Sequence, residues 1–205
     1  MPSSDGKRTS GIIAGVIDHL RRAVAAKNPV DERERQSIAR FLEETARLDR
    51  PFDRDADPTH VTGSAIVVGP RGVVLLRHKL LGFWLQPGGH VDNGETPWDA
   101  ALREAREETG LDVRFATDHP YTAAGAAGAD AAGVATPVPV HVDVHPAAHG
   151  HTHLDLRYLL EADGEPAPPP GESQDVAWFG WDAAIDIADA GLAGALRGLR
   201  PSDPP

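Results

Sequence analysis

The chain has no cysteine. Neither a disulfide framework nor a thiolate zinc site is open to it, and thiol usage gives no reading of its redox compartment. Lysine is nearly absent: only Lys7, Lys27 and Lys79 occur, so arginine supplies most of the positive charge. We read that first as coding bias and second as phosphate recognition. No apolar run approaches the roughly 20 residues of a membrane span. Gly11 to Ile17 is apolar, but Asp18 and His19 end it too early for a signal peptide. A cytoplasmic protein without membrane contact is the resulting expectation. The formal net charge of -11 argues against a surface for a nucleic-acid polymer. It leaves small nucleotides open, because a bound metal supplies its own local positive charge. At 205 residues the chain is long enough for one domain with an extension and a core that needs no disulfide.

What the chain does have is a dense acidic segment between Gly89 and Leu111. Thr96 is placed to cap a helix, Pro97 suits its first position, and Asp99 lies three residues after the cap. Gly110 suits the left-handed stop. Trp98, Ala101, Leu102 and Ala105 recur at helical spacing and predict the buried stripe. Glu104, Glu107 and Glu108 stand at i, i+3 and i+4 and project together from another face. Like charges so placed repel by a few tenths of a kcal/mol per pair. A divalent cation removes that penalty. Carboxylate oxygens suit Mg²⁺ or Mn²⁺, and Mg²⁺ commonly combines one or two carboxylates with substrate phosphates. The competing reading is a solvated acidic helix with ordinary ion pairs. Just upstream, Phe83 to Leu85 runs into Pro87-Gly88-Gly89-His90. Glycines there allow close backbone approach, and the Gly88 carbonyl is a candidate oxygen ligand.

Gly89, Glu95, Arg103, Glu104, Ala105, Glu107, Glu108, Gly110 and Leu111 together match every defined position of the Nudix hydrolase signature, and Pro87-Gly88-Gly89 is also typical of that family. The segment therefore resembles a Nudix box. The resemblance implies an α/β fold, a Nudix-type α/β/α sandwich with a mixed sheet, over residues 56–200. Residues 1–55 would form a helical extension serving packing, dimerisation or as a cap, and residues 201–205 a disordered tail. It also implies a hydrolase that cleaves a diphosphate linked to another moiety, most often a nucleoside, by water attack on phosphorus. Glu104, Glu107 and Glu108 would hold the metal, one of them serving as base. Glu95 and Arg103 would lock the loop onto the helix. Gly88 would add a carbonyl ligand. Glu172, in the proline-rich loop, matches a position where several such enzymes carry a further metal-binding or basic glutamate; an ordinary exposed loop glutamate is the other reading. A nucleotide-sensing module on the same fold usually lacks box carboxylates, and this chain has all of them. The isomerase branch uses a cysteine, which is absent here. Enzymes acting on ADP-ribose often place a proline about sixteen residues after the box, where this chain has Ala127. Tyr121 falls too early for the tyrosine of dinucleoside polyphosphate enzymes. The substrate stays open between a nucleoside triphosphate and a nucleoside diphosphate linked to a small group.

Elsewhere, residues 1–10 read as polar and mobile. Helices are expected over residues 11–26 and 31–48, and strands over 61–68 and 72–78, 83–85, 111–115, 138–144, 152–162 and 176–181. Residues 122–139 read as a loop, and one terminal helix is expected over 183–199. Histidines cluster at His145, His149, His151 and His153. Strand alternation sets His151, His153, Asp155 and Arg157 on one face and Leu154, Leu156 and Tyr158 on the core face. The polar row has three readings: a cleft lining that touches substrate phosphates, a half-exposed sheet face, or a transition-metal site. The cleft is favoured, because charged groups on a central strand need partners. His90 is placed to join the row. Trp84 and Phe83 are the aromatics best placed to stack on a base.

Overall fold

The structure, a computed structural model, describes residues 4–79, 82–117, 128–129 and 135–201. Two helices come first, α1 (Ser4–Ala25) and α2 (Glu32–Arg47). The first begins earlier than the expected Gly11. Asp31 caps α2, its carboxylate accepting from the Glu34 amide.

The sheet is built around β1 (Thr59–Gly69), whose almost unbroken burial marks a strand covered on both faces. It turns at Pro70-Arg71 into antiparallel β2 (Gly72–Arg77). Short strands β3 (Trp84–Leu85) and β4 (Gly88–His90) pair with β2 and β1 respectively. Helix α3 (Pro97–Thr109) follows, then β5 (Arg114–Phe115). The strand expected from Leu111 is shorter than predicted, because Leu111 and Val113 bury their side chains without joining the ladder. In the expected loop, β6 (Gly128–Ala129) pairs with β7 (Ala135–Thr136); most of the rest of that segment lies outside the described residues.

Next come β8 (His141–Pro146), antiparallel to β9 (Thr152–Glu161), which itself runs parallel to β1. Pro139 stays outside β8, as its missing amide donor requires. β10 (Val176–Phe179) closes the far edge against β2. The chain ends in α4 (Trp181–Ile187) and α5 (Ala190–Leu199) rather than one helix. Asp189 makes the break: its side chain accepts from the Leu192 amide and starts a new helix. The tail expected to be disordered lies, beyond Pro201, outside the described residues.

Helices cover both faces of this mixed sheet. Leu20, Val24 and Phe41 of the first two helices join Ala101 and Ala105 of α3 against Val61, Ala65, Leu154, Leu156 and Tyr158. Ala184, Leu192 and Leu196 pack on the other face against Ile66, Val73, Leu75 and Leu159. Among the described residues, no helix is long and apolar enough to cross a membrane.

Candidate active site

Local sequence fixes α3 tightly. Thr96 and Asp99 form a reciprocal capping box, Pro97 opens the first turn, and Gly110 closes the last at φ 68. Gly63 sets how close the helix lies to the sheet: a Cβ there would come 2.0 Å from the Pro97 carbonyl oxygen. With Ala100, Ala101 and Ala105 turned inward, the glutamates face the β4 loop.

Arg103 is the hub. Its Nε and Nη2 donate to the two oxygens of Glu95 at 2.8 and 3.1 Å. Its Nη1 donates to Glu104 at 2.8 Å and Glu107 at 3.1 Å, while Nη2 also reaches the His90 carbonyl at 3.0 Å. The hydrogen bond from Arg103 holds the Glu95 carboxyl below its ordinary range. Glu108 is tied instead to the glycine turn, accepting from the Gly88 amide at 2.9 Å.

The remaining charge is poorly compensated. Burial pushes Glu104 up despite Arg103. Burial, aided by the charges of Glu104, Glu172 and Glu107, pushes Glu108 up to about 7, against the Gly88 hydrogen bond. Hard oxygen donors along one helix, with burial working against the charge of Glu104 and Glu108, have the chemistry that suits a divalent cation.

A NUDIX domain profile matches residues 58–198, well over half of the chain. The chain belongs to the Nudix family. A Nudix-family hydrolase from Clostridium perfringens superposes with a TM-score of 0.56 at 29% identity, covering 68% of this chain and 95% of that one. An isopentenyl-diphosphate Delta-isomerase from Cutibacterium acnes is 30% identical over 144 residues, 64% of this chain and 65% of that protein. An 8-oxo-dGTP diphosphatase from Proteus vulgaris is 48% identical over 42 residues, 20% of this chain and 38% of that protein. The matches thus span less than two thirds of these curated relatives.

Beside the Nudix box lies the polar row of the sheet. Parallel pairing sets His60 against His153, Thr62 against Asp155 and Ser64 against Arg157. β8 adds His145 beside His153, Asp143 beside Asp155 and His141 beside Arg157. β4 places His90 beside Thr62. Asp155 and Arg157 are not half-exposed: they retain 3% and 1% exposure. Arg157 donates to Asp143 at 3.2 Å and Asp155 at 3.3 Å. Thr62 and Ser64 hydroxyls complete Asp155 at 2.9 and 2.7 Å, and Arg33 completes Asp143 at 2.9 Å. Burial alone would raise Asp143, yet His145, Arg157 and Arg33 together hold it well below the carboxylate range.

The other candidates separate. His151 stands with its ring 5.3 Å from that of His60, whereas His149 is exposed in the β8–β9 turn at φ 58. Trp84 meets Phe179 edge-on at 4.8 Å and is partly buried, while Phe83 is 44% exposed. Glu172 lies near enough for its charge to act on Glu108. Sequence reasoning missed His60, which joins the cluster from β1. The matching His-x-polar pattern in Thr59-His60-Val61-Thr62 and Thr152-His153-Leu154-Asp155 was the available signal.

Proposed function

We propose that this chain is a hydrolase that cleaves a diphosphate bond by water attack on phosphorus, in a nucleoside triphosphate or a nucleoside diphosphate linked to another moiety. The observation that carries this reading is the acidic face of α3, on which Arg103 holds Glu104 and Glu107 while Glu108 accepts from the Gly88 amide and is raised to about 7. Glu104, Glu107 and Glu108, with the Gly88 carbonyl and Glu172 as further donors, are the residues that would hold Mg²⁺ or Mn²⁺. Such an ion would neutralise the diphosphate and acidify the attacking water.

The chain's own groups do the rest. Arg103 fixes Glu104 and Glu107 in one orientation and ties both to Glu95. Glu108 exchanges a proton near neutrality in the metal-free chain, and a bound cation would favour its carboxylate form, the form that can take a proton from water. Exposed Phe83, with Trp84 and His151, is offered for the base and phosphates. Buried Arg157 acts at one remove, by ordering the polar row. The named diphosphatase relative favours a nucleoside triphosphate.

The isomerase relative raises a second reading, and the absence of cysteine counts against it. A sensing module is disfavoured by the complete set of box carboxylates. The test is phosphate or pyrophosphate release with Mg²⁺ and then Mn²⁺ across nucleoside triphosphates, nucleotide sugars, ADP-ribose, NADH, FAD and dinucleoside polyphosphates. Metal-dependent turnover that disappears in Glu108→Gln is expected. Tight binding of a nucleotide without any turnover would replace the hydrolase by the sensing module.

A further inference from the structure

We propose that His60, His90 and His153 form a second metal site, distinct from the box, that takes a transition-metal ion of the zinc class through imidazole nitrogens. One nitrogen from each ring lies within 4.8 Å of the others. The rings come from three different strands, β1, β4 and β9, and their centroids stand 5.1 to 5.2 Å apart. Tetrahedral zinc, with bonds of about 2.0–2.1 Å, sets its nitrogens roughly 3.4 Å apart. A modest closure of the two partly exposed rings, His90 and His153, reaches that spacing.

His60 supplies the independent observation. It is fully buried, and its Nε2 has no hydrogen-bond partner among the described residues. A buried polar atom left alone costs free energy, and native proteins rarely tolerate one without a reason. Its other nitrogen, Nδ1, faces the Asp57 carbonyl at 3.4 Å. A carbonyl only accepts, so that contact places the ring proton on Nδ1 and leaves a bare lone pair on Nε2. Protein metal sites hold their histidines in this way, with the second nitrogen donating to a backbone oxygen.

The surroundings bear on the site's chemistry. Three neutral imidazoles suit a borderline metal and are poor ligands for Mg²⁺, so the two sites sort their ions by donor type. His145 and His151 stand next in the ring cluster, 5.5 Å from His153 and 5.3 Å from His60. Arg54 Nη1 lies 3.4 Å from His90 Nδ1 and, being exposed, can swing away as the ion arrives. The site is linked to the box through β4. The His90 ring faces the histidines, while its carbonyl accepts from Arg103 and the Gly88 amide two residues earlier holds Glu108. An ion on His90 therefore pins the turn on which the box glutamates rest.

The experiment uses the full-length protein stripped with chelator and then held in excess Mg²⁺. Zn²⁺ retention is measured after dialysis, and Co²⁺ titration is followed by visible absorption. One equivalent of Zn²⁺, and a Co²⁺ spectrum of imidazole coordination, is expected for both the wild type and Glu107→Gln. His60→Gln and His153→Gln should each weaken binding at least about 100-fold. His153 is partly exposed, so its variant decides the matter if His60→Gln fails to fold; far-UV circular dichroism in chelator establishes folding. Zn²⁺ retained unchanged by His153→Gln, lost in Glu107→Gln, or absent from the wild type would overturn the proposal.

Discussion

Gly89 and Glu104 lie so close that no side chain fits between them: a Cβ on Gly89 would sit 2.3 Å from Glu104 Oε1. The glycine is therefore a packing requirement of the carboxylate. Gly89→Ala would push on the far end of a flexible side chain, not on backbone, so the fold should survive while Glu104 shifts. A displacement near 1 Å at a catalytic group costs about 100-fold in rate. We expect kcat/KM on the best substrate to fall by that order with an unchanged circular dichroism spectrum. Full activity in Gly89→Ala would show that the position of Glu104 does not matter.

Arg103→Lys tests the hub. A lysine ammonium cannot form the two parallel bonds to Glu95 while also reaching Glu104, Glu107 and the His90 carbonyl. Loss of charge-assisted hydrogen bonds should lower stability by about 1.5–3 kcal/mol in urea unfolding. Mg²⁺ at the proposed box site should also bind more weakly, because Glu104 and Glu107 lose their common anchor. Stability within error of the wild type would mean that these bonds contribute little beyond solvent contacts.

These two sites differ in how far the sequence reveals them, and the reason is distance along the chain. Glu104, Glu107 and Glu108 share a helix whose cap and stop are local, so their place on one face follows from 3.6-residue periodicity alone. His60 and His153 meet only through parallel pairing of strands 93 residues apart in sequence, which no local pattern announces. The alternation of β9 correctly separates Asp155 and Arg157 from Leu154 and Leu156. It does not reveal that the polar side is buried, because the covering groups Asp143, Arg33 and His141 come from other elements. The break at Asp189 was visible in principle as a capping residue inside a helical stretch, but alanine-rich flanks with strong helix propensity masked it.

The pH dependence of stability should carry the mark of Glu108. Its ordinary value of 4.5 rises to about 7 in the folded chain, with burial the leading cause. Between those values the folded state binds the proton and the unfolded state does not. Its contribution is therefore fully present below about 4.5 and is lost as pH rises through about 7. His153, lowered to about 4 chiefly by burial, works in the opposite direction below 6.5. The clean observable is thus the stability difference between metal-free wild type and Glu108→Gln, which should fall as pH rises across that window. A tenfold difference in proton affinity between the two states corresponds to about 1.4 kcal/mol. Added Mg²⁺ should offset the loss and raise Tm more near pH 8 than near pH 5.5. A difference that stays flat with pH would place the Glu108 carboxyl in water.

The edge of the sheet supplies the last prediction. Among the described residues β8 pairs with β9 on one side only, and an open edge invites pairing with another chain. The helical extension covers it with side chains. Glu34, fully buried, accepts from the Val142 amide at 3.0 Å and the Val30 amide at 2.7 Å. Ser37 accepts from the Val144 amide at 3.1 Å. Lys27 stands 3.6 Å from Glu34 and donates to the Val140 carbonyl at 2.7 Å; burial lowers its pKa against the pull of Glu34. Glu34→Ala would leave the buried Lys27 charge without its carboxylate and the Val142 and Val30 amides without their acceptor, so we expect a loss of about 3–5 kcal/mol. Removing both charges, as in Lys27→Met with Glu34→Leu, should cost less than the sum of the single changes, because the pair is coupled. Urea unfolding of the wild type, Lys27→Met, Glu34→Leu and the double variant checks this, with light scattering as a second readout of the uncovered edge. Additive losses would mean that Lys27 and Glu34 act independently.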